Sequence, residues 1–139
     1  MDELAYEDIK VDDEASITKT ITEADIVAFA ELTGDTNPVH LDAEYAAHSM
    51  FGERIAHGML VAGLISAVLG TRLPGPNSIY LGQELKFTAP VKIGDTLTVT
   101  AAVTEKRDDK RIIKLRTIAT NQRGEVVVDG SAVIKKASR

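Results

Sequence analysis

Residues 57–73 read HGMLVAGLISAVLGTRL, and this stretch decides the fold. Apolar or small residues fall on every face of a helix drawn through it. After His57, Ser66 is its only polar member before Thr71. A helix that is apolar all round is expected to be buried all round. The run is too short and too interrupted to span a bilayer. In a chain of 139 residues, a sheet wrapped around the helix would bury it.

The sequence on either side supplies that sheet. Residues 80–88 place Leu81, Leu85 and Phe87 on one face and Glu84, Lys86 and Thr88 on the other. Residues 96–104 alternate Leu97, Val99, Ala101 and Val103 with mostly threonine partners. Residues 111–120 and 125–135 are further β-rich runs, with hairpin turns expected at 107–110 and 121–124. Ile93-Gly94-Asp95 turns the chain into the second of these strands. Upstream, residues 16–21 form a short strand. Thr22 then reads as a helix N-cap, followed by Ile26, Phe29, Ala30 and Leu32 at helical spacing as far as Gly34. A short helix is expected over residues 42–47. The class is therefore α+β, one domain over residues 1–139, a curved antiparallel sheet around one long buried helix. A single open sheet leaves edges unpaired, so a homodimer is expected.

Composition narrows the function. The length suits one domain, without room for separate cofactor and substrate domains. The net charge is −5 with no basic stripe, which excludes an ordinary nucleic-acid binder. Cysteine is absent, which removes disulfides, a thiolate nucleophile and Cys-based zinc sites. No secretory signal or membrane span is read, so the cytoplasm is the expected compartment. The acidic stretch within residues 1–15 is expected to be loosely ordered.

Two short motifs carry chemistry. Asp35 and His40 lie five residues apart in Asp35-Thr36-Asn37-Pro38-Val39-His40, a turn-rich loop. If the loop folds back, they offer a proton acceptor and a proton donor near neutral pH. Pro38 stiffens the loop and Asn37 can brace its backbone. The plainer alternative is a turn carrying a surface histidine. In His57-Gly58-Met59, the first N–H groups of the long helix have no helical partner. Gly58 would let a ligand carbonyl approach closely, as an oxyanion site. Alternatively, Gly58 only permits packing and His57 only caps the helix. Ser66 either bonds back to a carbonyl one turn earlier or faces a polar pocket. No GxSxG elbow surrounds it. His40, His48 and His57 show no zinc-helix spacing, so no metal is expected. Arg54 is read among scattered, solvated basic residues.

Together these motifs resemble the R-specific enoyl-CoA hydratases, the MaoC-like dehydratases of the hotdog superfamily. Asp35 to His40 resembles their D-x-N-P-x-H loop, and His57-Gly58-Met59 is similar to the H-G-M opening their central helix. Ser78-Ile79-Tyr80-Leu81-Gly82-Gln83, Phe87-Thr88-Ala89-Pro90-Val91 and Gly94-Asp95 match the same pattern. The resemblance implies a single hotdog that pairs with a second copy. It implies reversible syn addition of water to a trans-2-enoyl thioester, giving an R-3-hydroxyacyl product. Asp35 and His40 would be the acid–base pair. Gly58 N–H would hold the thioester oxygen, with Asn37, His57 and Ser66 supporting the site. No cofactor is implied. The acyl carrier would be coenzyme A, on routes toward polyhydroxyalkanoate, or an acyl carrier protein. A hotdog thioesterase and a non-catalytic hotdog subunit are the rival readings.

Overall fold

The computed structural model describes residues 2–137. Strand β1 (Glu14–Thr20) leads into helix α1 (Glu23–Thr33). Two short helices follow, α2 (Pro38–Leu41) and α3 (Ala43–Ala47), and then the long helix α4 (Gly58–Thr71). Strands β2 (Ser78–Phe87), β3 (Thr96–Arg107), β4 (Ile112–Thr120) and β5 (Val126–Lys136) complete the chain. They form one antiparallel sheet in the order β1-β3-β4-β5-β2, with β1 and β2 at its edges.

Local chemistry fixes the element ends. The Thr22 hydroxyl accepts the Asp25 N–H at 3.1 Å, and the Asp25 carboxylate accepts the Thr22 N–H at 2.9 Å, closing a capping box. Gly34 ends α1 at φ 80°, a left-handed turn that glycine adopts without strain. Asn121 holds the β4–β5 turn, its Oδ1 accepting the N–H groups of Arg123 and Glu125 at 3.0 Å each.

The core is aliphatic, as expected. Leu97, Val99, Ala101 and Val103 from β3 meet Val61, Ile65, Val68 and Leu69 of α4 within one buried cluster, joined by Ile113, Leu115 and Ile134. Each of the Leu, Ile and Val side chains contributes about 1.5–3 kcal/mol when fully buried.

Three expectations need correction. First, α4 is not covered all round. Met59, Gly63, Ser66 and Gly70 form an exposed stripe, because the sheet wraps only the opposite side. Second, β2 does not alternate cleanly. A bulge leaves Leu81 without a register partner between Tyr80 and Gly82, and Ile79, Tyr80, Leu81 and Phe87 are exposed. Third, the N-terminal segment is packed. Tyr6 and Ile9 are buried in the core cluster, and Lys106 Nζ donates to the carbonyls of Tyr6 and Ile9. The Tyr6 hydroxyl donates to Asp108 at 2.7 Å, and burial followed by this bond pushes it up to about 12. Acidic composition concealed these two apolar anchors.

Asp95, in the turn before β3, is buried. Its carboxylate accepts the Lys92 N–H at 3.0 Å and the Gln122 amide at 2.9 Å. Burial alone would raise this carboxyl, but these bonds and the nearby Arg123 and Lys92 charges outweigh it and hold it below the usual aspartate range. A depressed folded value contributes stability above the unfolded one and loses it as pH falls through the folded one. Asp95→Asn should therefore cost about 1–3 kcal/mol near neutral pH. The variant should also flatten the acid limb of stability, as read by urea denaturation across a pH series.

Candidate active site

The residues after α1 fold back over the start of α4. The Asn37 carboxamide caps α2, its Oδ1 accepting the Val39 N–H at 3.2 Å, and Pro38 occupies the first helical position. The expected turn is thus partly a short helix, and it turns His40 inward. His40 is buried, at 8% exposure, and its Nδ1 donates to the Ile55 carbonyl at 2.7 Å. That bond leaves Nε2 free. Asp35 stays exposed, with one carboxylate oxygen 3.4 Å from the Asn37 N–H.

A second set of contacts comes from residues 53–57. The Ile55 N–H reaches the Val39 carbonyl at 3.3 Å and the Ala56 N–H reaches the Val91 carbonyl at 2.7 Å. These bonds set His57 at the N-cap of α4, but its side chain does not cap the helix. Instead His57 Nε2 donates to the Asp35 carbonyl at 2.9 Å. Its ring stacks on that of His40, with centroids 3.8 Å apart, and lies 4.7 Å from that of Phe29. Asp35, His40 and His57 each offer a ligand-type atom within 4.8 Å of the others.

This trio is a poor metal cage. His40 Nδ1 and His57 Nε2 are committed to backbone carbonyls. The remaining ring nitrogens belong to nearly parallel stacked rings, at 27°. Their lone pairs therefore lie in nearly parallel stacked planes, whereas a tetrahedral metal needs its ligands to converge from well-separated directions.

The trio opens on a cavity of about 490 Å³. Its walls are mainly apolar, from Phe51, Ile55, Val61, Phe87, Val91 and Val128, and Asp35, His40, His57 and Gly58 also line it. An apolar cavity with a few polar groups clustered in its lining suits an acyl chain whose reactive head is polar. Gly58, the first residue of α4, brings the positive end of that helix's dipole to the cavity lining.

Asp35, His40, His57 and Gly58 thus come together. Asn37 and Ser66 do not line the cavity: Asn37 caps α2, and Ser66 lies roughly 12 Å along α4 from Gly58, on the exposed stripe. Sequence reasoning missed Arg54. Its Nε donates to the His40 carbonyl at 2.7 Å, and its guanidinium meets Glu23 of α1 at 2.6 Å. Arg54 therefore bolts α2 to α1, and no local sequence signal marks a lone arginine in a loop for that task. Phe87 was read as a strand residue and as part of the Phe87-Thr88-Ala89-Pro90-Val91 motif, with no role at the site.

Residues 7–123 match the MaoC like domain family, and the chain belongs to the MaoC-like dehydratases. It is 53% identical to the (R)-specific enoyl-CoA hydratase of Rhodospirillum rubrum, over 96% of this chain and 92% of that one. The R-hydratase PhaJ1 of Pseudomonas aeruginosa, solved in unliganded form, superposes with a TM-score of 0.91 at 51% identity, covering 96% of this chain and 86% of that one. The (R)-hydratase from A. caviae involved in PHA biosynthesis gives a TM-score of 0.91 at 45% identity, over 94% and 98% of the two chains. The fold is the hotdog of these hydratases.

A Cβ added at Gly58 would lie 2.6 Å from the Phe87 ring, so the aromatic ring rests on the glycine. Crowding at position 58 therefore begins with Phe87. Gly58→Ala should displace the ring and lower stability by about 1 kcal/mol, whereas the same change in a Phe87→Ala background should cost almost nothing. A double-mutant cycle by thermal unfolding measures that coupling.

Proposed function

We propose that this chain is an R-specific enoyl-CoA hydratase, catalysing reversible syn addition of water to a trans-2-enoyl-CoA. One observation carries the reading: the side chains of Asp35 and His40 meet in the lining of a mainly apolar cavity. Hydration of a conjugated thioester needs one proton taken from water and one delivered to the α-carbon. Asp35 and His40 divide those two tasks. The water oxygen bonds to the β-carbon while the α-carbon gains its proton, and both groups act from one side of the double bond. Electron density moves onto the thioester oxygen, where the Gly58 N–H stabilises it. One such donor is worth about 2.7–4 kcal/mol in a barrier. The chemistry draws on no metal or nucleotide, because the thioester itself acidifies the α-carbon.

Purified chain should convert crotonyl-CoA to R-3-hydroxybutyryl-CoA. Asp35→Asn and His40→Ala should each keep the fold and lose about 10²–10⁴ in kcat. Chiral analysis of the product checks the stereochemistry. Release of free thiol from a saturated acyl-CoA, without hydration, would point to a thioesterase, and a variant retaining most of its kcat would remove that residue from the assignment.

The same reading includes a homodimer. Two features support it: the exposed small-residue stripe on α4, and the apolar edge strand β2 with its unpaired backbone groups. Light scattering should give twice the chain mass of 15.0 kDa. Gly63→Glu, at a position with open space around it, should give a folded monomer.

A further inference from the structure

His57 occupies a buried site, yet its Nδ1 has no hydrogen-bond partner among the described residues. Leaving a buried polar atom unpaired is costly, so the ring is retained for what its other atoms do. We infer that His57 is a positioning residue: its Nε2–H anchors the Asp35 backbone and its ring fixes the plane of His40, so that the reacting pair keeps its spacing before substrate arrives. This rests on the hydratase reading above.

Bonds at Gly34 to Asn37 are otherwise local. The Asp35 N–H donates to the Thr33 hydroxyl at 3.1 Å, the Thr36 N–H to the Gly34 carbonyl at 3.0 Å, and the Asn37 N–H to Asp35 Oδ1 at 3.4 Å. Such bonds shape the turn but let it pivot as a unit on the end of α1. Among the described residues, His57 supplies the one hydrogen bond that reaches this loop from beyond residue 40. It comes from the N-cap of α4, the most deeply packed helix, so the Asp35 backbone is referenced to the core.

The tautomer follows from the partner. A carbonyl can only accept, so His57 carries its hydrogen on Nε2. That hydrogen is committed to Asp35, so His57 has no free N–H for a substrate oxygen. It acts through its neighbours. The stacked His40 ring has its own Nδ1–H fixed to Ile55, so contact with His57 sets where His40 Nε2 points. Loss of such alignment by about 1 Å can cost 10²-fold in rate.

Two variants separate donor from ring. His57→Phe keeps an aromatic ring against His40 and Phe29 but removes the N–H, while His57→Gln keeps a donor without the ring. Steady-state hydration of crotonyl-CoA gives kcat and KM, and circular dichroism melting reports the fold. His57→Phe should melt close to wild type and lose about 100-fold in kcat, with KM changed by less than about threefold; Gln should recover about tenfold of that loss. A His57→Phe enzyme within threefold of wild-type kcat overturns the inference. So does a fall in kcat and melting temperature with a rise in KM, and no recovery by Gln, because that is a structural role. Wild-type turnover, run alongside, tests the hydratase reading by itself. If wild type is inactive, NMR decides the positioning claim. Ring ¹⁵N shifts should place the His57 hydrogen on Nε2, and the Asp35 carbonyl ¹³C signal should move in His57→Phe. A hydrogen on Nδ1, or an unmoved Asp35 carbonyl, overturns it.

Discussion

Packing of Val61, Ile65, Val68 and Leu69 against the concave face of the sheet is the contact on which the rest of this structure depends. Apolar burial is the largest favourable term available to a small domain, and α4 concentrates it on one element. With the helix seated, its N-terminus has a fixed address. The backbone bonds at Ile55 and Ala56 then bring His57 and Gly58 to the same place in every molecule. The cavity follows from that placement, because the start of α4 lines it together with Val91, in the β2–β3 connection, and Val128 of β5.

The polar part of the cavity lining is organised through backbone carbonyls. His40 binds Ile55, His57 binds Asp35, and Arg54 binds His40. Carbonyls are uncharged acceptors, so they orient imidazole rings without adding a charge that would compete for the proton to be moved. The arrangement leaves His40 Nε2 as the uncommitted nitrogen beside Asp35. Arg54 keeps its own charge balanced by Glu23 on α1, away from the ring.

Much of this could be read from the chain, for physical reasons. Alternation in residues 96–104 reports a strand with one buried face, and β3 has Leu97, Val99, Ala101 and Val103 inside. Thr22 and Gly34 bracket α1 because caps are encoded locally. Asp35 and His40 were visible because a proline-bearing turn can bring residues close in sequence together. What was hidden depends on partners far along the chain. The His57 side chain, expected to face ligand or cap its helix, reaches back 22 residues to the Asp35 carbonyl, a bond no local pattern encodes. Leu81 looked like a core residue because period-two reasoning does not foresee a bulge. Ser66 looked buried because hydropathy reports that a face is apolar without saying what covers it. That cover need not come from the same chain.

That distinction bears on how the site is closed. Asp35 is exposed in the single chain, and Phe87, which lines the cavity and rests on Gly58, is 53% exposed. A carboxylate in open water is well solvated and a weak base toward a bound water molecule. Covering it strengthens every electrostatic contact around it. The exposed stripe of α4 and the apolar edge of β2 belong to the two elements that carry Gly58 and Phe87. In the proposed dimer, one association would thus bury the apolar edge and close the cavity on the side where Phe87 stands. Helix α4 would then serve two surfaces at once, its buried face holding the sheet and its small-residue face admitting a second copy close to the backbone. Glycine and serine on that stripe are what close approach requires, and leucines there would hold the second copy away from the helix.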